Sequence, residues 1–309
     1  MRRPLRRVAI SAAGLLLCGV AMWAALRAPP LPAPAPEAAC SVEQVRLHTG
    51  NGVLLDGILY RPAANPRSAA FLLVHGFGAN YYEAYFPALA RAAAAQGYAS
   101  LALNMRDHDA GPKVSDFRDN QADIAAGLAH LRSLGYPKAV LLGQSMGTNR
   151  VLYYQAATRD SGIVAVVLVS GPGNLFEWNV RQFGRKEAQA TLDEALALQA
   201  AGHEQQLMLI NLGPLGKNLY TARYLLSLRG PDSRSDPYQN IRKVTSPVLI
   251  LQGTADRLVE PGIAERLRRA ATPGARVDLI YFDDADHYFT KQEARLGEHI
   301  FGWLKEVAP

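Results

Sequence analysis

Residues 138–153 read KAVLLGQSMGTNRVLY: a strand-length run of Ala, Val and Leu stops at Ser145, between Gly143 and Gly147, then resumes with helical spacing. A buried strand that turns abruptly into a helix forces the apex residue into a positive φ. It also requires neighbours without side chains, so that strand and helix can approach each other. Gly143 and Gly147 supply that clearance. The hydroxyl of a serine at the apex stands above the sheet, at the N-terminal end of the helix that begins at Met146. There, unpaired NH groups favour developing negative charge. The G-x-S-x-G pattern is short enough to arise by chance; its weight comes from its place between a strand and a helix.

Outward from this turn the same alternation repeats. Apolar runs of strand length occur at Val53–Tyr60, Ala69–Val74, Ala99–Leu103, Ala139–Leu142, Ile163–Val169, Val248–Leu251 and Val277–Phe282, preceded by a strand from Val42. Helical spacing marks Tyr81–Gln96, Gln121–Leu134, Met146–Thr158, Pro261–Ala271 and Ala294–Val307. Strands apolar on both faces and joined by helices predict an α/β architecture, a mostly parallel sheet covered on each side. The first two strands, close in sequence, predict an antiparallel edge. More than 70 residues separate the strand ending at Val169 from that starting at Val248, too many for a loop. Helical patterning at Arg185–Ala201 and Asn218–Ser227 predicts a helical cap over about residues 174–246. Its aromatics, Phe176, Trp178, Phe183, Tyr220 and Tyr224, are expected mainly to pack the cap, with Trp178 a candidate pocket residue.

The N-terminus has a different character. Four arginines precede Val8–Leu26, 19 residues without a charge, which as a helix would span a hydrocarbon layer. Residues 1–27 are therefore expected to be a signal anchor or signal peptide, placing the remainder outside the cytoplasm as a periplasmic or extracellular protein. Residues 28–41, rich in Pro and Ala, are expected to be a semi-rigid linker, leaving 42–309 as the folded domain. Five arginines in the first 27 residues account for most of the net charge of +6, leaving the rest at +1. A nucleic-acid partner would require charge clustered on the folded part, so none is expected. Of the two cysteines, Cys18 lies in the apolar run and Cys40 beyond the linker, which excludes a disulfide within the domain.

Four stretches in order resemble the α/β-hydrolase superfamily from about Val42 to the C-terminus: LLVHGFGAN (72–80), GQSMG (143–147), LILQGTADRLV (249–259) and DDADHYF (283–289). The resemblance implies an eight-stranded sheet with the cap inserted after the sixth strand, a nucleophile elbow at Ser145, and serine-hydrolase chemistry of esterase or lipase type. An alcohol needs a base to take its proton, and the base needs a carboxylate to hold its tautomer. The resemblance selects His287 as base and Asp256 as acid; Asp283, Asp284 and Asp286 are rivals, closer to His287 along the chain. It assigns the oxyanion donors to the backbone NH groups of Phe77 and Met146, with Gly76 and Gly78 letting the loop bend close to substrate. His75 reads as structural, and His108, in NMRDHDAG, as a residue at the pocket rim.

The acidic loop containing Asp107, His108, Asp109, Asp116 and Asp119 lacks the ligand spacing of zinc or calcium sites, so no metal is expected, and the chemistry requires no cofactor. The expected substrate is a small or lipid-like carboxylic ester. Peptidases, thioesterases and acyltransferases use the same machinery, and a non-catalytic binding module remains an alternative, although such modules usually lack one triad member.

Overall fold

The computed structural model describes residues 40–308 apart from Glu83. The signal-anchor segment and most of the linker lie outside these residues. Among the described residues no helix is long and apolar enough to cross a membrane.

Eight strands form one sheet: β1 (Cys40–His48), β2 (Leu54–Pro62), β3 (Ala69–Val74), β4 (Ala99–Leu103), β5 (Lys138–Gln144), β6 (Ile163–Val169), β9 (Val248–Gly253) and β10 (Val277–Phe282). Their order across the sheet is β1-β2-β4-β3-β5-β6-β9-β10. β1 pairs with β2 and β2 with β4 antiparallel; every other pairing is parallel. β1 begins at Cys40, so the last two residues of the expected linker belong to the sheet.

Successive strand residues point to opposite faces, and here both faces are buried. Leu72, Val74, Leu141 and Leu168 pack on one side against α2 (Asn120–Ser133), α3 (Met146–Thr158) and α8 (Gly262–Ala270). Phe71, Leu73, Leu142 and Val167 pack on the other against α1 (Phe86–Ala95) and α9 (Glu293–Val307). This two-sided burial is the reason the strands read as continuous apolar runs. Helix α1 starts five residues later than its spacing predicts. The amide of Tyr81 donates to Asn104 Oδ1 at 2.8 Å, and the helix opens at a proline, a residue suited to the first turn.

The cap is not entirely helical. It comprises α4 (Leu175–Phe183), α5 (Arg185–Ala200), an antiparallel ribbon of β7 (Leu207–Asn211) and β8 (Lys217–Thr221), α6 (Ala222–Arg229) and α7 (Pro237–Ile241). Residues 218–221, expected to be helical, are strand. In β7 the buried Met208 and Ile210 alternate with the exposed Leu207 and Leu209, so both faces are apolar and the period of two is hidden. The ribbon is stitched to the sheet domain at Lys113, whose amide donates to Leu219 O at 2.8 Å and whose carbonyl accepts from Thr221 N at 2.9 Å. Thr221 then caps α6 by accepting from the Tyr224 amide.

Candidate active site

β3 and β5 are hydrogen-bonded neighbours in register, with Val74 opposite Gly143, so the segments leaving their carboxyl ends emerge side by side. Ser145 is the first residue beyond β5 and has φ 51° and ψ −123°, the strained conformation expected of the apex. The glycines act through proximity. A Cβ on Gly147 would lie 2.1 Å from Val74 O, and one on Gly143 would lie 2.4 Å from Gly147 O. On the β3 side, a Cβ on Gly76 would come within 2.9 Å of Ser145 Cβ, so this loop lies against the serine. Gly78, at φ 66°, lets the loop turn away again. The amide of Phe77 donates to no group among the described residues. That of Met146 stands in the first turn of α3, where the helix supplies no acceptor.

β9 and β10 end level with each other, Gly253 opposite Phe282. Asp256 follows the first and His287 the second. His287 Nδ1 lies 2.8 Å from Asp256 Oδ2. The carboxylate is fixed by three further donors, Gln252 Nε2 and the amides of Leu258 and Val259, at 2.9–3.1 Å. The rivals do not compete. Asp283 and Asp284 are exposed, and Asp286 accepts from the amides of Tyr288 and Thr290 in its own turn. Ser145 and His287 both line one cavity, together with Phe77 and Met146. These four and Asp256 thus collect at the carboxyl end of the sheet, where open α/β sheets place their sites.

The sequence model of the alpha/beta hydrolase family matches residues 71–296 of the chain. The protein belongs to the alpha/beta hydrolase family. No curated protein matches it in sequence. Among solved structures it is similar to the esterase domain of a Rhodothermus marinus protein, with 21% identity and a TM-score of 0.61, covering 86% of this chain and 98% of the other. It is also similar to Est1E from Butyrivibrio proteoclasticus, with 17% identity and a TM-score of 0.66, covering 85% and 98%. A Pyrococcus furiosus esterase aligns with 19% identity and a TM-score of 0.62, covering 91% and 97%. At these identities the likeness establishes the fold.

The hydrolase cavity is narrow, about 50 Å³, and roofed by the cap. Trp178, of α4, lines it, its indole fixed by a 3.1 Å hydrogen bond from Nε1 to Leu258 O. Leu175, Leu212, Leu215, Leu258 and Val259 add apolar wall, and Tyr220 and Arg229 face the same space. Gly76 and Gly78 shape the loop without reaching the wall.

His108 is displaced from the role expected of it. Its ring pairs with Asp109 Oδ2 at 2.6 Å, is more than a third exposed, and is not on the cavity wall. The cause is Lys113, fully buried, whose ammonium gathers the carbonyls of Asp107, His108 and Asp109 and winds this loop around itself. The same ammonium lies 5.5 Å from the centroid of the Phe77 ring, bracing the loop that carries the candidate oxyanion donor. Among the described residues no cluster of acids, histidines and cysteines could hold a metal ion.

His75 is structural. Its Nε2 accepts from the Met105 amide at 3.0 Å, which puts the ring proton on Nδ1, donating to Gly76 O at 2.7 Å. Burial, helped by the nearby Arg150 cation, lowers its pKa to about 3, so the ring stays neutral. Arg150, on α3, is wholly buried and grips both oxygens of Asp107 at 2.7 and 2.8 Å, while Tyr224 of the cap donates to the same carboxylate at 2.8 Å. Burial alone would raise the Asp107 pKa, but Arg150 and its other partners together hold it below the usual carboxylate range. This network ties α3 to the cap. Nothing in TNRVLYYQA distinguishes Arg150 from a surface arginine.

Proposed function

We propose that this alpha/beta hydrolase is a serine hydrolase that cleaves a carboxylic ester through an acyl-enzyme, with Ser145 as nucleophile, His287 as general base and acid, and Asp256 as the orienting carboxylate. The observation that carries the reading is the His287–Asp256 contact of 2.8 Å, with His287 and Ser145 sharing one cavity wall. With Nδ1 committed to the carboxylate, Nε2 is the nitrogen left to take the Ser145 proton. Attack on the ester carbonyl gives a tetrahedral oxyanion received by the amides of Phe77 and Met146, each donor of this kind being worth about 3–4 kcal/mol of barrier. The imidazolium then protonates the departing alcohol. Water, deprotonated by the same ring, releases the acid.

The apolar wall of Leu175, Trp178, Leu212, Leu215 and Leu258 supports an acyl substrate, and the small volume favours a short acyl chain unless the cap shifts. The similarity of the fold to the Rhodothermus marinus and Pyrococcus furiosus esterases supports the same reading. Steady-state turnover of short-chain p-nitrophenyl esters by the purified protein, and its loss in Ser145→Ala, tests the reading. A protein inert toward all such esters, or a Ser145→Ala variant as fast as the wild type, overturns it.

Residues 1–27 we read as a membrane anchor that holds the domain outside the cytoplasm, on the support of their 19 uncharged residues and flanking arginines alone. Membrane fractionation of chains with and without residues 1–27 tests it. Pelleting that persists without them overturns it.

A further inference from the structure

Arg229 is the last residue of α6, and its side chain reaches the cavity shared by Ser145 and His287. It is 9% exposed, and its Nε and Nη1 are enclosed with no hydrogen-bond partner among the described residues. A guanidinium cannot shed its proton to escape burial, so enclosed donors without partners are costly. The groups around it do not remove that cost. It lies 5.7 Å from the Tyr220 ring centroid, a cation–π contact that leaves its NH groups unbonded. The Tyr220 hydroxyl lies close enough to interact with the guanidinium, and the cation opposes the burial that raises its pKa to about 12, but a neutral hydroxyl supplies no counter-charge. The end of a helix favours a cation but accepts nothing from these two nitrogens. Asp236, on a neighbouring cleft that Arg229 also touches, is committed to capping α7 and to Asn174. Among the residues lining the cavity, Arg229 is the one permanent charge and no carboxylate is present.

We propose that Arg229 receives a carboxylate carried by the ester substrate, so that this cavity selects anionic esters over their neutral analogues. The proposal rests on the ester-hydrolase reading and specifies its substrate class. A cavity whose wall holds a cation without a counter-charge favours the ligand that supplies one over its neutral analogue. Charge-assisted hydrogen bonds to a carboxylate are the strongest that a guanidinium makes. Apolar walls around one buried cation match a short acyl or alcohol chain that ends in a carboxylate.

The test compares kcat/KM for monoethyl glutarate with that for ethyl pentanoate, and for acetoxyacetate with that for propyl acetate, the first pair placing the charge on the acyl side and the second on the alcohol side. The wild type prefers the anionic ester of one pair by about 10-fold or more. Arg229→Met abolishes the preference and Arg229→Lys keeps part of it. A merely structural arginine would lower both esters of a pair together and leave their ratio intact. Inhibition of the wild type by glutarate, about 10-fold stronger than by glutaramide, requires no variant. A wild type without preference in either pair, or a preference that survives in Arg229→Met, overturns the proposal. If no ester at all is turned over, the ester-hydrolase reading fails on its own. Titration calorimetry with monoethyl glutarate then decides this site: binding abolished by Arg229→Met upholds it, and no binding by the wild type overturns it.

Discussion

His287 turns its Nδ1 to Oδ2 of Asp256, 31 residues away in sequence and 2.8 Å away in space, while Asp286 of its own loop accepts from the backbone amides of Tyr288 and Thr290. A carboxylate here fixes the tautomer and offsets the imidazolium charge. Asp256→Asn is therefore expected to lower kcat about 10⁴-fold on a p-nitrophenyl ester. Asp283→Asn and Asp284→Asn are expected to stay within a few-fold. Comparable losses at either would reassign the acid.

The loop after β3 is pressed against Ser145. In Gly76→Ala the new methyl would meet Ser145 Cβ at 2.9 Å and Gln144 Oε1 at 2.8 Å. The serine must shift, and a misplacement of about 1 Å can cost about 10²-fold. The loss is expected in kcat more than in KM. Gly50→Ala, where a methyl meets nothing within 4 Å, serves as the control and should leave turnover unchanged.

Removing one partner of the buried Arg150–Asp107 pair strands the other in a dry site shared with Tyr224. Arg150→Met is expected to cost about 3–5 kcal/mol in denaturant unfolding. Adding Asp107→Leu should restore a large part of it, because a buried pair replaced by apolar groups is often neutral. A single variant as stable as the wild type would show that water already reaches the pair.

Acid stability carries the signature of His75. The unfolded chain takes up a proton at this ring as pH falls below 6.5, whereas the folded chain does so only near 3. Between these values the unfolded state binds the extra proton, so stability is full above 6.5 and falls as the medium is acidified. The loss is on the order of 3 kcal/mol by about pH 4. In His75→Gln the melting temperature should depend less on pH over this window. An unchanged slope would mean that the ring is protonated in the native state.

Much of the fold was legible because its determinants are local. Ala69–Val74, Ala99–Leu103 and Ile163–Val169 match the sequence reading to the residue, since strands buried on both faces are short, apolar and framed by turns. The β7–β8 ribbon was not legible: its exposed leucines mask the alternation that would mark a strand. His108 was misplaced because its direction is set by Lys113, which bonds to three backbone carbonyls that no side-chain pattern reveals.

The sequence by itself determined the alternation of strand and helix, the turn at Ser145 and the short set of histidines and acids from which a site could be assembled. Each of these depends on backbone preference and on the spacing of neighbouring residues. Only the tertiary structure decided which carboxylate meets His287, which cap residues face the cavity, and that Arg229 is the one permanent charge on its wall. Burial and partnership are properties of residues brought together from distant parts of the chain, and an arginine at a helix end reads the same whether it faces water or a reaction site.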